Sequence, residues 1–161
     1  MLIRRIFKLI KQYLSIINLN IKFRHLGSVG NNVQCDSKFT IYNGRKNLFI
    51  GNNVFLTNTL INAGDFEGKV TIKDFVFFGH NVLLLARGHD YNKFAAERQI
   101  SVVERAIVIE EGAWIGSGSI ILAGVTIGKN SVIGAGSVVT KNVPDNVIYG
   151  YEPSQLYHRV N

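Results

Sequence analysis

The chain has 161 residues, 47% of them hydrophobic and 18% charged, which fits one folded domain with a buried core and excludes a disordered chain. Sixteen glycines against two prolines suit many tight corners better than long linkers, and the single cysteine, Cys35, excludes an internal disulfide. The formal net charge of +7 is compatible with an anionic membrane, a phosphate-rich ligand or a plain solvated surface; the basic residues form no aromatic-interleaved patch, so nucleic acid is not expected.

Residues 1–26 read as a separate lead-in. Ile3, Ile6, Phe7, Ile10, Leu14 and Ile17 share one helical stripe, with Arg4, Arg5, Lys8 and Lys11 mostly off it. This pattern predicts a basic amphipathic helix. Such a helix packs on its own domain, caps an open solenoid end, or lies on an anionic membrane surface. Basic and apolar residues interleave instead of forming a basic head and an apolar block, no small-residue cleavage site follows, and no apolar run is long enough to span a bilayer. The expected location is cytoplasmic, with peripheral contact at the inner face of the membrane as the further option.

From residue 27 a different period takes over. Val29, Cys35 and Ile41 are six apart, as are Ile50 and Leu56, and then Ile72, Phe78 and Leu84. Cys35 falls on this apolar series, as a small buried hydrophobe would. The phase slips between Ile41 and Ile50 and again around Asp65–Gly68. The largest interruption runs from about Arg87 to Arg105. Beyond it the period is unbroken through Ile109, Ile115, Ile121, Ile127, Ile133 and Val139. Four residues after each of these anchors comes a small or β-branched residue: Ala113, Ser119, Val125, Ser131, Ser137 and Val143.

Neither helical periodicity nor simple alternation produces a six-residue spacing; a β-solenoid does. Each hexad supplies a short strand with an inward anchor and then a corner, and three faces make a coil of about 18 residues. Corners often need φ > 0, which Gly and Asn tolerate. G-N-N at 30–32 and 51–53 and G-K-N at 128–130 fall at equivalent places. A solenoid ejects inserted residues as a loop, and such loops often carry function, so the 87–105 insertion is where chemistry is expected.

The run W-I-G-S-G-S-I-I-L-A-G-V-T-I-G-K-N-S-V-I-G-A-G-S-V-V-T-K-N-V-P (114–144) resembles the hexapeptide-repeat acyltransferases, over roughly residues 48–150. Together with the histidine of A-R-G-H-D-Y and the V-V-T-K sequence, it is most similar to the sugar and surface-polysaccharide O-acetyltransferases of the galactoside and maltose type. The resemblance implies an all-β, left-handed parallel β-helix over 27–150, a homotrimer, and acetyl-CoA as co-substrate with no metal. A tail follows at 151–161.

The same resemblance assigns His89 as general base. A sugar hydroxyl is a poor nucleophile toward a thioester, and a neutral imidazole removes its proton as attack proceeds. Asp90 and Trp114 fall to the sugar or glycan acceptor, Trp114 offering an aromatic face to a ring. Ser117, Ala135, Thr140 and Lys141 fall to acetyl-CoA, although small residues also suit coil sterics and Lys141 also suits solvent. The tail, G-Y-E-P-S-Q-L-Y-H-R (150–159), departs from the family's G-x-P-A-K-x-I-R by one extra residue and by Gln155 where a basic residue is common; Arg159 is the replacement phosphate contact. Backbone N–H groups, or Asn58 or Asn62, are the unassigned oxyanion donors, and His80 is the reserve histidine. N-acetylation of an amino sugar or an antibiotic uses the same base and co-substrate. A zinc-dependent carbonic anhydrase needs three convergent histidines, whereas His25, His80, His89 and His158 are scattered. A non-catalytic scaffold would bind no CoA.

Overall fold

The computed structural model describes residues 23–35 and 39–150, the backbone of 155–159, and Ile6 and Ile10, which are helical and exposed. The rest of the amphipathic segment 2–18 lies outside the described residues, as do the side chains of the 151–161 tail.

The chain climbs in coils of three short strands. The first coil holds β1 (Ser28–Val29), β2 (Gln34–Cys35) and β3 (Thr40–Asn43). The second holds β4 (Leu48–Ile50), β5 (Phe55–Leu56) and β6 (Leu60–Asn62), and the third β7 (Val70–Ile72), β8 (Phe77–Phe78) and β9 (Leu83–Leu85). An excursion follows: β10 (Arg87–His89), a short helix α1 (Ala95–Ile100) and β11 (Val102–Glu104). The fourth coil resumes with β12 (Ile107–Ile109), β13 (Trp114–Ile115) and β14 (Ile120–Leu122), and the fifth has β15 (Thr126–Ile127), β16 (Val132–Ile133) and β17 (Val138–Val139). β18 (Val147–Gly150) and the antiparallel β19 (Gln155–Arg159) close the stack.

Strands at like positions pair in parallel and build three faces: β1-β4-β7-β12-β15, β2-β5-β8-β13-β16-β18, and β3-β6-β9-β14-β17. This is the left-handed parallel β-helix that the family resemblance implies. Ile109 pairs with Ile127 and Ile115 with Ile133, so anchors 18 residues apart stack directly. Ile50, Ile72, Ile109 and Ile127 line the core along the first face, Leu56, Phe78, Ile115 and Ile133 along the second, and Ile61, Leu84, Ile121 and Val139 along the third, all buried. Burying an Ile or Leu side chain stabilises by roughly 1.5–3 kcal/mol, and the stacked rows supply that repeatedly. The small residue four after each anchor is also buried. Where it is serine its hydroxyl donates to a corner carbonyl: Ser119 and Ser137 to Gly134 O (3.0 and 2.6 Å) and Ser131 to Pro144 O (2.6 Å).

Residues at the corner between the first and second faces take left-handed φ at Asn32, Asn53, Asn130 and Asn146, as the G-N-N and G-K-N signals imply. Phe75 breaks the rule, holding φ 60° at the same corner while 57% exposed; only Gly and Asn adopt this conformation routinely. The step from Leu56 to Ile61 is one residue short, turned by Asn58 at φ 40°. The hexad count therefore fails there, and Ile61, not Asn62, points inward.

All three insertions in the repeat fall at one corner, where the third face meets the first. The 3-10 turn Arg45–Asn47 occupies it after β3, residues 63–69 after β6, and the β10–α1–β11 excursion after β9. The turns stack: Asn47 Nδ2 donates to Gly64 O at 2.7 Å.

The glycines of the regular coils serve two separate needs. Gly136 lies at a corner with φ 72° and nothing within 4 Å of where a Cβ would stand. Gly116, directly after its anchor, lacks a left-handed φ; a Cβ there would meet Ala135 N and Ile133 O at 2.6 Å. The glycine after the anchor thus answers to the close approach of the next coil. Gly136→Ala is expected to cost about 1 kcal/mol through its φ alone, with Gly136→Asn close to neutral. Gly116→Ala and Gly116→Asn should each cost about 2 kcal/mol or more by overpacking against backbone, read as denaturant midpoints at constant slope.

Candidate active site

The excursion is a hairpin, and one carboxylate anchors its base. β10 and β11 pair antiparallel with Arg87 opposite Glu104 and His89 opposite Val102. The Glu104 side chain is only 8% exposed. Its carboxylate accepts four backbone N–H groups of the neighbouring turn, from Asp65 (3.0 Å), Phe66 (2.9 Å), Glu67 (2.9 Å) and Gly68 (3.2 Å). Successive N–H groups converging in this way make an anion-binding nest, filled here by the chain's own side chain. Arg87 ties the same place together, with Nη1 3.5 Å from Glu104 Oε1 and an ion pair to Asp65. Asn62 Nδ2 donates to Arg87 O at 3.3 Å. Burial pushes the Glu104 carboxyl up, and the four N–H donors outweigh it, leaving its pKa below the ordinary 4.5.

His89 ends β10 and is exposed, with no hydrogen bond from its imidazole to any described residue. It opens onto a cavity of about 490 Å³ between the hairpin and the edge of the third face. Leu85, Leu122 and Ala123 form the apolar wall; Arg87, Asp90, Tyr91 and Arg105 join His89 on the polar side. Asp90 Oδ1 accepts Asn92 N–H at 2.9 Å, a local turn that sets the chain direction after the histidine.

Trp114, Ser117 and Ala135 lie elsewhere. They share a second cavity of about 370 Å³ on the second face with Phe77, His80 and Gly116. Phe55, Phe77 and Trp114 point outward one above another, with ring centroids 5.3 and 6.0 Å apart. Phe77 and Trp114 are 43% and 48% exposed. Ser117 Oγ accepts His80 N–H at 3.0 Å. His80 and His89 therefore open onto different cavities, and among the described residues no three His, Cys, Asp or Glu side chains converge. Thr140 and Lys141 are exposed on the last full coil and line neither cavity. The side chain of Arg159 lies outside the described residues. Asn62 and Asn58 are engaged with neighbouring coils, Asn58 with Asn81.

One chain thus brings His89 to Asp90, and Trp114 to Ser117 and Ala135, without joining the two groups. Arg105, Glu104 and Phe77 escape the sequence reading. Phe77 carries a usable signal, one residue before an inward anchor and one coil before Trp114; Glu104 carries none, because its partners are backbone groups.

The family model described as bacterial transferase hexapeptide (six repeats) matches residues 106–141. A galactoside O-acetyltransferase of Lactococcus lactis is 35% identical over 133 residues, covering 83% of this chain and 63% of the relative. Residues 106–141 carry the repeat of the hexapeptide transferases, and the chain is similar over most of its length to an acetyltransferase of that kind. A solved galactoside acetyltransferase in complex with coenzyme A superposes with a TM-score of 0.75 at 34% identity, over 84% of this chain and 66% of that one. A hexapeptide-repeat acetyltransferase of Vibrio cholerae in complex with acetyl coenzyme A does so with 0.76 at 28% identity, over 85% and 73%. The chain spans slightly less than two thirds of the two galactoside enzymes.

The nest around Glu104 is open to test. A folded pKa below the unfolded one contributes stability fully above 4.5, which is lost as pH falls through the folded value. Glu104→Gln is expected to lower stability by about 2 kcal/mol at pH 7, and the gap from the parent should shrink in denaturant titrations below pH 4.5. A gap independent of pH would mean that charge contributes nothing there.

Proposed function

We propose that the protein is an acetyl-CoA-dependent O-acetyltransferase acting on a hydroxyl of a sugar or surface-polysaccharide precursor, with His89 as general base. The observation that carries this reading is an exposed histidine at the mouth of a ring-sized cavity, in a chain 35% identical to a galactoside O-acetyltransferase. The neutral imidazole takes the proton of the acceptor hydroxyl as its oxygen attacks the thioester carbonyl. Collapse of the tetrahedral species breaks the C–S bond, and the proton passes to the departing thiolate. Gly116, Gly134 and Ala135 leave one wall of the second cavity nearly at backbone level, which suits the approach of a slender pantetheine chain. The solved relatives in complex with coenzyme A and acetyl coenzyme A support the choice of donor.

The outward residues support a ring of three copies. The first face turns out a mixed row of Ser28, Phe49, Thr71, Val108 and Thr126. The third turns out Leu60, Leu83, Leu85, Ile120 and Leu122, all half-buried, and the second its aromatic row. Two apolar outward faces on one small prism mark interaction surfaces. Packing the third face of one copy on the second face of the next is a heterologous contact that closes as a ring. It would set the His89 of one copy beside the Trp114 of another.

His89→Ala should lower acetyl transfer about a hundredfold to ten-thousandfold without moving the melting temperature, since the side chain is exposed; normal turnover would sink the assignment. In sedimentation velocity the parent should run as three copies and Ile120→Glu as one. A variant still running as three copies would remove the third face from the interface.

A further inference from the structure

We propose that the acceptor carries an oxyanion, a carboxylate or a phosphate, close to the hydroxyl that is acylated, and that Arg105 binds it. The inference rests on the reading of the His89 cavity as the acceptor site. It starts from the charges around that cavity. Arg87 is matched by Asp65 and Glu104, and a carboxylate oxygen of Asp90 is taken up by its own turn. Lys93, nearby on the loop, pairs with Glu97 at 2.7 Å. Arg105 lines the same cavity, yet no carboxylate of the described residues lies within ion-pair distance of it. It is the cavity's unmatched cation.

Its position is fixed. Arg105 N–H donates to Ala86 O at 3.0 Å, holding its backbone where the hairpin rejoins the coil. Its stem crosses Gly124, where a Cβ would come within 3.2 Å of Arg105 Cδ. The stem therefore needs the bare corner that Gly124 provides. Arg105 lines this cavity together with the apolar Leu85, Leu122 and Ala123. Beside an apolar wall, an ion pair with a planar guanidinium is stronger than in open water and adds directional hydrogen bonds. A neutral sugar would leave this group without a partner.

The cofactor is not the natural counter-ion. In acetyl-CoA the phosphates are separated from the thioester by the whole pantetheine arm, so a cation sharing a cavity with the base faces the acceptor. A volume of about 490 Å³ holds a sugar ring together with an attached carboxylate or phosphate.

The test is a panel of a neutral methyl galactoside, galacturonate and galactose 1-phosphate, assayed for CoA release with the parent, Arg105→Ala and Arg105→Lys. The expected result is a kcat/KM at least about tenfold higher for one or both anionic acceptors than for the neutral one. That preference should be lost in Arg105→Ala and partly kept in Arg105→Lys, with the KM for acetyl-CoA unchanged. Preference for galacturonate alone or for the phosphate alone identifies the anion. Equal rates on neutral and charged acceptors, a preference that survives Arg105→Ala, or a rise in the KM for acetyl-CoA instead, would overturn the proposal. Calorimetric titration of galacturonate and galactose 1-phosphate into the parent and Arg105→Ala separates this idea from the catalytic one. Binding to the parent that is lost in the variant supports the anion site even if no acetyl transfer is found, and identical titrations overturn it even if transfer proceeds.

Discussion

Each strand of this fold is two to five residues long, and none would persist without the coil above or below it. Stability comes from stacking in register, anchor upon anchor, with hydrogen bonds running along the prism axis instead of within a coil. The constraint is severe. One residue too many in a strand would turn its anchor outward and break contact with two neighbouring coils. Extra residues are therefore tolerated only where a face has ended and the next has not begun. Every insertion in this chain obeys that limit at the same corner, so turns that would each be isolated bulges instead lie one above another. The candidate site grows from that stack.

Insertions at a corner must still be held, because they leave the ladders that satisfy backbone groups elsewhere. The turn 64–68 has four N–H groups converging on one side, and Glu104 satisfies them from the root of the following insertion. The smaller turn and the larger loop thereby become one unit. Arg87 and Glu104 face each other across the hairpin, two residues from His89 and Val102 along each strand. The histidine is exposed but is mounted on a base as well hydrogen-bonded as the coils. An element outside the core thereby acquires the rigidity that the proposed proton transfer at a defined place would require.

Legibility in the sequence follows the same division. From Ile109 to Val139 nothing interrupts the six-residue period, and the anchors, the small residues behind them and the stacking partners could all be assigned. At Asn58 the corner loses a residue, and counting by six selects Asn62 where Ile61 is the inward side chain. Phe75 stands at a left-handed position that composition would give to Gly or Asn, because neighbouring coils enforce the corner whichever residue occupies it. The loop was legible as a loop, and His89 as its first reactive residue. Glu104 was not, since a carboxylate bound to backbone N–H groups leaves no partner residue to find. The separation of Trp114 from His89 was also hidden: a linear motif does not state which face a side chain leaves from, and these two leave from different parts of the prism.

That separation bears on how the proposed activity depends on assembly. A base in one cavity and an aromatic shelf in another cannot grip a single sugar within one copy. Under cyclic packing the two are brought together three times, once at each interface. Apolar burial that holds the copies together would then also complete the site, and a lone copy would keep its fold but lack half of the acceptor's surroundings. The first face, whose outward row mixes Ser28, Thr71 and Thr126 with Phe49 and Val108, lines neither cavity. On this reading the two apolar faces of the prism are halves of one site, and the hairpin at the crowded corner is the part that reaches from one half toward the other.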